Sequence, residues 1–370
     1  MTLRRLFLLL IAYIMIFSCN APKTVPIINL SNISQSISLD LTDMLKDISM
    51  VQINSDFLLS TDDEIFVTTE YLIIYTNKQS IHLFDRDGNH IRKLTERGNG
   101  PGEFYALRDF FVDENERILY YRDENNYTRL IRIDISNGKV FDPLQIDFNF
   151  MTMDYINGKV FNLPMFRYAG RSFRAGAFPD SAIVARSVSL PSGEVEKYHG
   201  YHSYSYLFAG STIISYSDEI FLLNYDYSDT LFSLKDNRLR PLYVLRLSDK
   251  ITNVDVGGNG CEIVSICDKG IVLSKNKLEP FPSRGVVYTS GRDFVFLDRK
   301  GNVFNIDSIH MMGTQVDLMD NDNPWRLSSL LPVTCGKYGY MMVEHDFFET
   351  LPADFDIDND NPIIIVGTLK

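Results

Sequence analysis

The chain has 370 residues, 45% of them apolar and 12% aromatic, and a formal net charge of −12. That composition supplies a sizeable core and excludes a disordered chain, while the length suits two ordinary domains or one large all-β domain. The negative charge repels phosphates and no basic stripe with interleaved aromatics offsets it, so a nucleic-acid partner is excluded.

Arg4 and Arg5 precede a twelve-residue apolar run, Leu6 to Phe17, followed by Ser18-Cys19. The run is too short to span a bilayer comfortably and suits the apolar region of a secretory signal. Cys19 after the small Ser18 resembles a bacterial lipoprotein cleavage site, although Ile16 and Phe17 stand where leucine and a small residue are commoner. Ordinary signal cleavage nearby is the alternative. An acylated Cys19 would anchor the protein without a spanning helix, and no later segment is long and apolar enough to span. Loss of Arg4 and Arg5 takes the net charge from −12 to −14 (−12 − 2), an acidity that serves solubility. The predicted partition is a signal peptide over 1–18, a tether over 19–29 holding Pro22 and Pro26, and one domain over 30–370.

Early in that domain Ser38 to Leu41 reads as a strand, and Thr42-Asp43-Met44-Leu45 as a single helical turn capped by Thr42 or Asp43. Beyond Asp56 short apolar runs alternate with turn residues: Ile65–Val67, Tyr71–Tyr75, Ile81–Phe84, Phe110–Val112, Ile118–Tyr121 and Leu130–Ile133. Each has strand length and none keeps a helical period, so the domain reads as all-β.

Ile81 to Phe104, IHLFDRDGNHIRKLTERGNGPGEF, carries the organising pattern. Its first half alternates apolar and polar residues about Asp87-Gly88-Asn89, the signature of a β-hairpin. In its second half Gly98, Gly100 and Gly102 relieve the Cβ penalty of a tight reversal, and Pro101 pre-sets φ just before Gly102 as a type II turn prefers. The hairpin turn recurs as Asp134…Gly138…Val140 and Asp298…Gly301…Phe304, and more weakly as Leu190-Pro-Ser-Gly193-Glu-Val195 and Leu234-Lys-Asp236-Asn-Arg-Leu239. Turn centres near 88, 138, 193, 237 and 301 recur at about 44 to 64 residues, a period that suits a propeller. Four strands with loops fit that period, and residues 30–370 hold six such units. The expected fold is a six-bladed β-propeller of four-stranded antiparallel blades, with Ile363-Ile-Ile-Val366 sharing a blade with a strand from the first 55 residues to close the ring.

GNGPGEF after the hairpin, Tyr-Ser-Asp-Thr-Leu-Phe at 227–232 and Asp-Asn-Pro-Ile-Ile-Ile at 360–365 together resemble the six-bladed β-propeller lipoproteins of Gram-negative gut anaerobes, whose blades are similar to NHL repeats. The resemblance covers nearly all of the mature chain and matches loosely between Asn149 and Gly210. It implies the fold and an outer-membrane envelope location, and little activity comes with it. Residues 20–25, NAPKTV, lack the acidic cluster that marks surface export in such lipoproteins, which favours the periplasmic side.

Four groups of residues are candidates for function. Glu103 beside Gly102 can bind a cation or a sugar hydroxyl, or accept hydrogen bonds from its own turn. Asp354, Asp356, Asp358 and Asp360 place carboxylates at every second residue, as a calcium loop does, but Asn359 and Ile365 replace the turn glycine and closing glutamate of an EF-hand. Simple solvation is the alternative to Ca2+ there. Tyr198, Tyr201, Tyr204 and Tyr206, with His199 and His202, form the densest aromatic cluster, suited to stacking on sugars or to packing between blades. His82, His90, His310 and His345 show no ligand spacing. Cys261 and Cys267 would lie about 20 Å apart on one strand, too far for a disulfide, so a bridge needs Cys335 and the odd count leaves at least one free thiol.

No nucleophile elbow, HExxH, or Walker loop is present, and Gly257-Gly-Asn-Gly260 does not lead from a strand into a helix. The predicted function is an envelope-anchored binding or scaffolding protein for a carbohydrate, peptide or envelope protein. The alternative is a metal-dependent hydrolase or lyase whose site is assembled in the central channel, which a linear pattern cannot display.

Overall fold

The computed structural model describes residues 25–370 apart from 54–56, 61–62, 124–127, 147–149, 157, 165–181, 191, 201–210, 218, 225–228, 237, 249–257, 282–285, 312–313, 318–330, 345–347, 349–354 and 356–360. Within them the strands form six sheets, each built on four antiparallel strands, and the whole is a six-bladed β-propeller. Blade 1 comprises Glu64–Val67, Tyr71–Thr76, Ser80–Asp85 and His90–Glu96. Blade 2 comprises Leu107–Asp113, Ile118–Asp123, Arg129–Asp134 and Val140–Gln145. Blade 3 is built from Phe150–Ile156, Lys159–Pro164, Ala182–Ser189 and Val195–Gly200. Ser211–Tyr216, Glu219–Asn224, Thr230–Lys235 and Arg238–Arg246 form blade 4. Gly258–Cys267, Gly270–Phe281, Val286–Asp298 and Val303–Met311 form blade 5, where Thr314–Asp317 adds a short strand. Blade 6 takes Val333–Cys335, Tyr338–Val343 and Ile363–Leu369 from the end of the chain and Leu45–Gln52 from its beginning. The terminal run pairs antiparallel with that early strand from Ile363↔Gln52 to Leu369↔Leu45, which closes the ring.

The early chain does more than close one blade. Ile27–Asn29 pairs parallel with Val244–Arg246 at the outer edge of blade 4, and Ser36–Asp40 pairs parallel with 305–310 of blade 5. Residues 27–52 are therefore a belt across the rims of three successive blades. Composition placed 27–29 in the tether; they are ordered instead because Ile28 and Leu30 are buried against blade 4. The single helical turn, Leu41–Met44, is capped by Asp40 rather than by Thr42 or Asp43. Asp40 accepts from Thr42 N at 2.8 Å and Thr42 Oγ1 at 2.6 Å, because only the residue before the turn can reach its unpaired N–H groups.

All five repeated turns fall between the third and fourth strands of blades 1 to 5. In blade 1 Asp85 Oδ1 accepts from Asp87 N at 3.0 Å and Asn89 N at 2.8 Å, and blade 5 repeats the bonds with Asp298, Lys300 N and Asn302 N, both at 2.8 Å. Gly88 has φ of +89°, and a Cβ there would stand 2.3 Å from the carbonyl oxygen of Gln52, so only glycine fits. Blade 6 lacks the turn because its fourth strand comes from the other end of the chain.

The core is a ring of layers between blades rather than one centre. Leu72 and Phe84 of blade 1 meet Ile364 and Val366 of blade 6, and Phe104 and Tyr121 join Ile73 and Leu83 between blades 1 and 2. Phe111 stacks on Tyr120 at 5.1 Å and on Tyr155 at 5.2 Å between blades 2 and 3. The largest layer unites blades 4, 5 and 6 with Ile28, Leu30 and Leu39 of the belt. Burying each such side chain contributes about 1.5–3 kcal/mol. Cys261, Cys267 and Cys335 are all buried free thiols. No helix among the described residues is long and apolar enough to cross a membrane.

Candidate functional site

In each blade the first strand lies innermost, and these strands run in one direction along the axis. At their C-terminal ends a cavity of about 330 Å³ opens at the mouth of the channel, lined by Phe66, Val67, Val112, Glu114, Asn115, Tyr155, Ser215, Tyr216, Ser217, Cys335, Gly336 and Lys337. Five of the six blades contribute. Each supplies a strand end and the turn after it, which brings backbone and polar side chains to the mouth while Phe66, Val67 and Val112 keep an apolar wall.

The polar groups are held in place. Glu114 accepts from Thr69 N at 3.1 Å and Thr69 Oγ1 at 2.8 Å, and Lys337 Nζ donates to the same Thr69 Oγ1 at 3.0 Å. One acid and one base thus share a threonine at the rim. The Tyr216 hydroxyl lies between Asp268 and the carbonyl of Lys370, sharing its one proton with these two acceptors, and burial raises its pKa above the usual tyrosine range. Burial also raises that of Tyr155, whose hydroxyl bonds Asp113. Both phenols therefore stay protonated.

Asp154 lies beside this cavity between blades 3 and 4. It accepts hydrogen bonds from Ser215 N and, at 2.8 Å, from Tyr155 N, yet loss of solvent outweighs both and pushes its carboxyl up to about 6. Burial likewise pushes the Cys335 thiol up to about 12, which leaves it a poor nucleophile. Ser215 is buried beside Asp154, and both its backbone and its side chain favour the ionised carboxylate. Among the described residues no group of three His, Cys, Asp or Glu side chains is placed to share a metal ion.

Tyr198 is 7% exposed and packs against Phe161 between blades 3 and 4, with its hydroxyl donating to Glu196 at 2.6 Å. Tyr201, His202, Tyr204 and Tyr206 lie outside the described residues, as do Asp354, Asp356, Asp358, Asp360 and Cys19. By strand direction, Gly200 and Ser211 flank the first of these groups at the strand ends away from the cavity, and Val343 and Ile363 flank the acidic run on the same side. In the 98–103 turn Glu103 accepts from Gly100 N at 2.6 Å while its own N–H donates to Gly100 O at 3.1 Å. Pro101 and Gly102 occupy the turn's centre. Gly102 has φ of +76°, and its carbonyl accepts from both Thr95 and Tyr121, which fastens the turn to blades 1 and 2.

Two features escape a linear reading. The cavity residues come from turns spread between 66 and 337, and the only trace is that strand ends such as Val112-Asp-Glu-Asn and Tyr216-Ser-Asp-Glu are followed by short polar turns. The second is a histidine pair. His82 Nδ1 lies 3.1 Å from His90 Nε2, His82 Nε2 lies 2.8 Å from Ser80 Oγ, and Phe57 sits 4.5 Å from each imidazole. The blade 1 hairpin folds residues eight apart in sequence against each other.

The chain has likenesses among known structures. A Bacteroides fragilis protein described as exported shares 12% identity with a TM-score of 0.58, covering 93% of this chain and 99% of that one. The N-terminal domain of Nup159 gives 6% identity and a TM-score of 0.44 over 94% and 100% of the two chains, and an oligogalacturonate lyase in complex with manganese gives 12% and 0.39 over 88% and 91%. Among curated proteins none matches the chain. Residues 25–275, more than half of the sequence, match a family described as a domain of unknown function, and the chain belongs to that family, DUF4934.

Proposed function

We propose that this propeller is a binding module of the bacterial envelope, exported, lipid-anchored through Cys19 on the periplasmic side of the outer membrane, and that its axial cavity holds a small carbohydrate. Similarity to NHL-repeat lipoproteins in sequence supports the address. The observation that carries the ligand class is the cavity wall itself: aromatic Phe66, Tyr155 and Tyr216 beside Glu114 and Lys337. Sugars present C–H faces to rings and hydroxyls to exactly such mixed donors and acceptors. A volume of about 330 Å³ accommodates a ligand of one or two sugar rings and lies at the small end of known ligand pockets. The loops at the strand ends away from the cavity are the second surface, for a peptide or envelope protein, and in sequence Tyr201, His202, Tyr204 and Tyr206 fall between the strands that end at Gly200 and begin at Ser211.

A glycan screen of residues 20–370 by thermal shift, followed by calorimetry on Tyr155→Ala and Lys337→Ala, tests the reading. A glycan that stabilises the wild type and loses at least tenfold in affinity in both variants supports it. Stabilisation by divalent cations alone would overturn it in favour of a metal-dependent channel enzyme.

A further inference from the structure

We infer that the outer rim of blade 4 is a docking surface for an anionic phospholipid membrane. Between Lys235 and Ser248 four cations, Lys235, Arg238, Arg240 and Arg246, stand against one acid, Asp236, in a chain whose net charge is −12. All four cations are exposed, and no ion pair joins them to a carboxylate among the described residues. Three of them lie on the outermost antiparallel strand of the blade, with exposed Pro241 between Arg240 and Arg246.

The belt adds to this surface without neutralising it. From Val25 to Leu39 it carries no charged side chain, and it runs along the basic strand in the register Ile27↔Val244 and Asn29↔Arg246. Ile27, 55% exposed, is an apolar residue beside the arginines and suits the boundary of headgroups and acyl chains. In sequence the acids closest to the strand are half-buried Asp229 and exposed Asp236, and Asp249 is offset by Lys250; the neighbouring Glu196 pairs with Lys159, and Asp298 is followed by Arg299 and Lys300.

Continuity with the anchor fixes the orientation, and this step rests on the lipid-anchoring reading above. Val244 N donates to Pro26 O at 2.9 Å, so only residues 20–26 separate Cys19 from the blade 4 rim. Fully extended, those residues span at most about 25 Å. Blade 4 then faces the bilayer, blade 1 points away across the ring, and the axis lies along the membrane plane. Acidic charges on distant blades are screened beyond a Debye length of about 8 Å, so they do not cancel the attraction at the rim. The acyl chains hold the protein at the bilayer, and the basic patch sets which face meets the headgroups.

The test uses residues 20–370, which contain every described strand and no lipid. Sedimentation with phosphatidylglycerol–phosphatidylcholine vesicles is expected to exceed that with phosphatidylcholine alone and to vanish at high salt. Arg238→Gln, Arg240→Gln and Arg246→Gln together should weaken binding roughly a hundredfold, at about fivefold per charge. The control, Lys93→Gln with Arg117→Gln and Lys139→Gln on blades 1 and 2, should bind like the wild type, and thermal melts verify that both triples are folded. Equal loss in both triples, or equal sedimentation with both vesicles, overturns the inference. Acylation is read separately from the mass of the mature N-terminal peptide of the full chain. An unmodified Cys19 with intact vesicle binding refutes the anchoring reading and its orientation while supporting the basic rim.

Discussion

Replacing His82 by asparagine should make the protein markedly more acid-tolerant than the wild type, and the size of the effect follows from two buried groups. His82 is 5% exposed, and burial first, then the nearby charges of His90 and Lys93, lower its pKa from 6.5 to about 4. Folded His82 therefore stays neutral while the unfolded chain takes up a proton below pH 6.5. Stability from this group is fully present above that pH and is lost as pH falls towards 4, by about 2.5 kcal/mol at pH 4.5. Asp154 works in the other direction. Its pKa is raised from 3.8 to about 6, so its ionisation opposes folding above pH 6, and the penalty is relieved as pH falls towards 3.8. By pH 4.5 the relief is about 2 kcal/mol. The two nearly cancel in the wild type. Urea midpoints at pH 7.5 and 4.5 separate them: relative to the wild type, His82→Asn should gain about 2.5 kcal/mol on acidification and Asp154→Asn should lose about 2. An unchanged acid response in His82→Asn would refute the assignment of a buried neutral imidazole.

Other outcomes follow from the packing. Gly102→Ala forces a side chain into a left-handed conformation with its Cβ 2.5 Å from Val140 Cγ2 and should cost about 2 kcal/mol, read as a lower Tm, whereas Glu103→Gln should cost about 1. Leu30→Ala, at a fully buried belt position, should lose about 3 kcal/mol in chemical denaturation, while Ile27→Ala at a 55% exposed one should stay within about 0.5. The three buried thiols, with Cys335 held near 12, should react with Ellman's reagent only after unfolding; rapid labelling of the native chain would contradict their burial.

The fold was legible because the hairpin turn repeats. Asp85, Asp134 and Asp298 bind their own turn amides, and hydrogen bonding to Ser136 lowers the pKa of Asp134, so the motif is a local solution that any blade can reuse. Local chemistry leaves a local trace. The cavity leaves none, since Phe66, Tyr155, Ser215 and Lys337 meet only when the ring closes. His82 and His90 lie between these cases: their contact needs the register shifts in the hairpin, which alternation of apolar residues does not reveal. Tyr198 shows the converse, since an aromatic that belongs to a polar-looking cluster in sequence is committed to the layer between two blades.

The belt also fixes an order of events. Residues 27–52 are made early, yet their partners at Val244, Asn305 and Val366 follow about 200 to 300 residues later, and Ser49 bonds a carbonyl 317 positions downstream. Blades 1 to 3 can assemble as they emerge, whereas the head of the chain must wait unpaired for the tail. Pairings over such separations form slowly, so an interrupted or shortened polypeptide would leave its earliest segment stranded and adhesive.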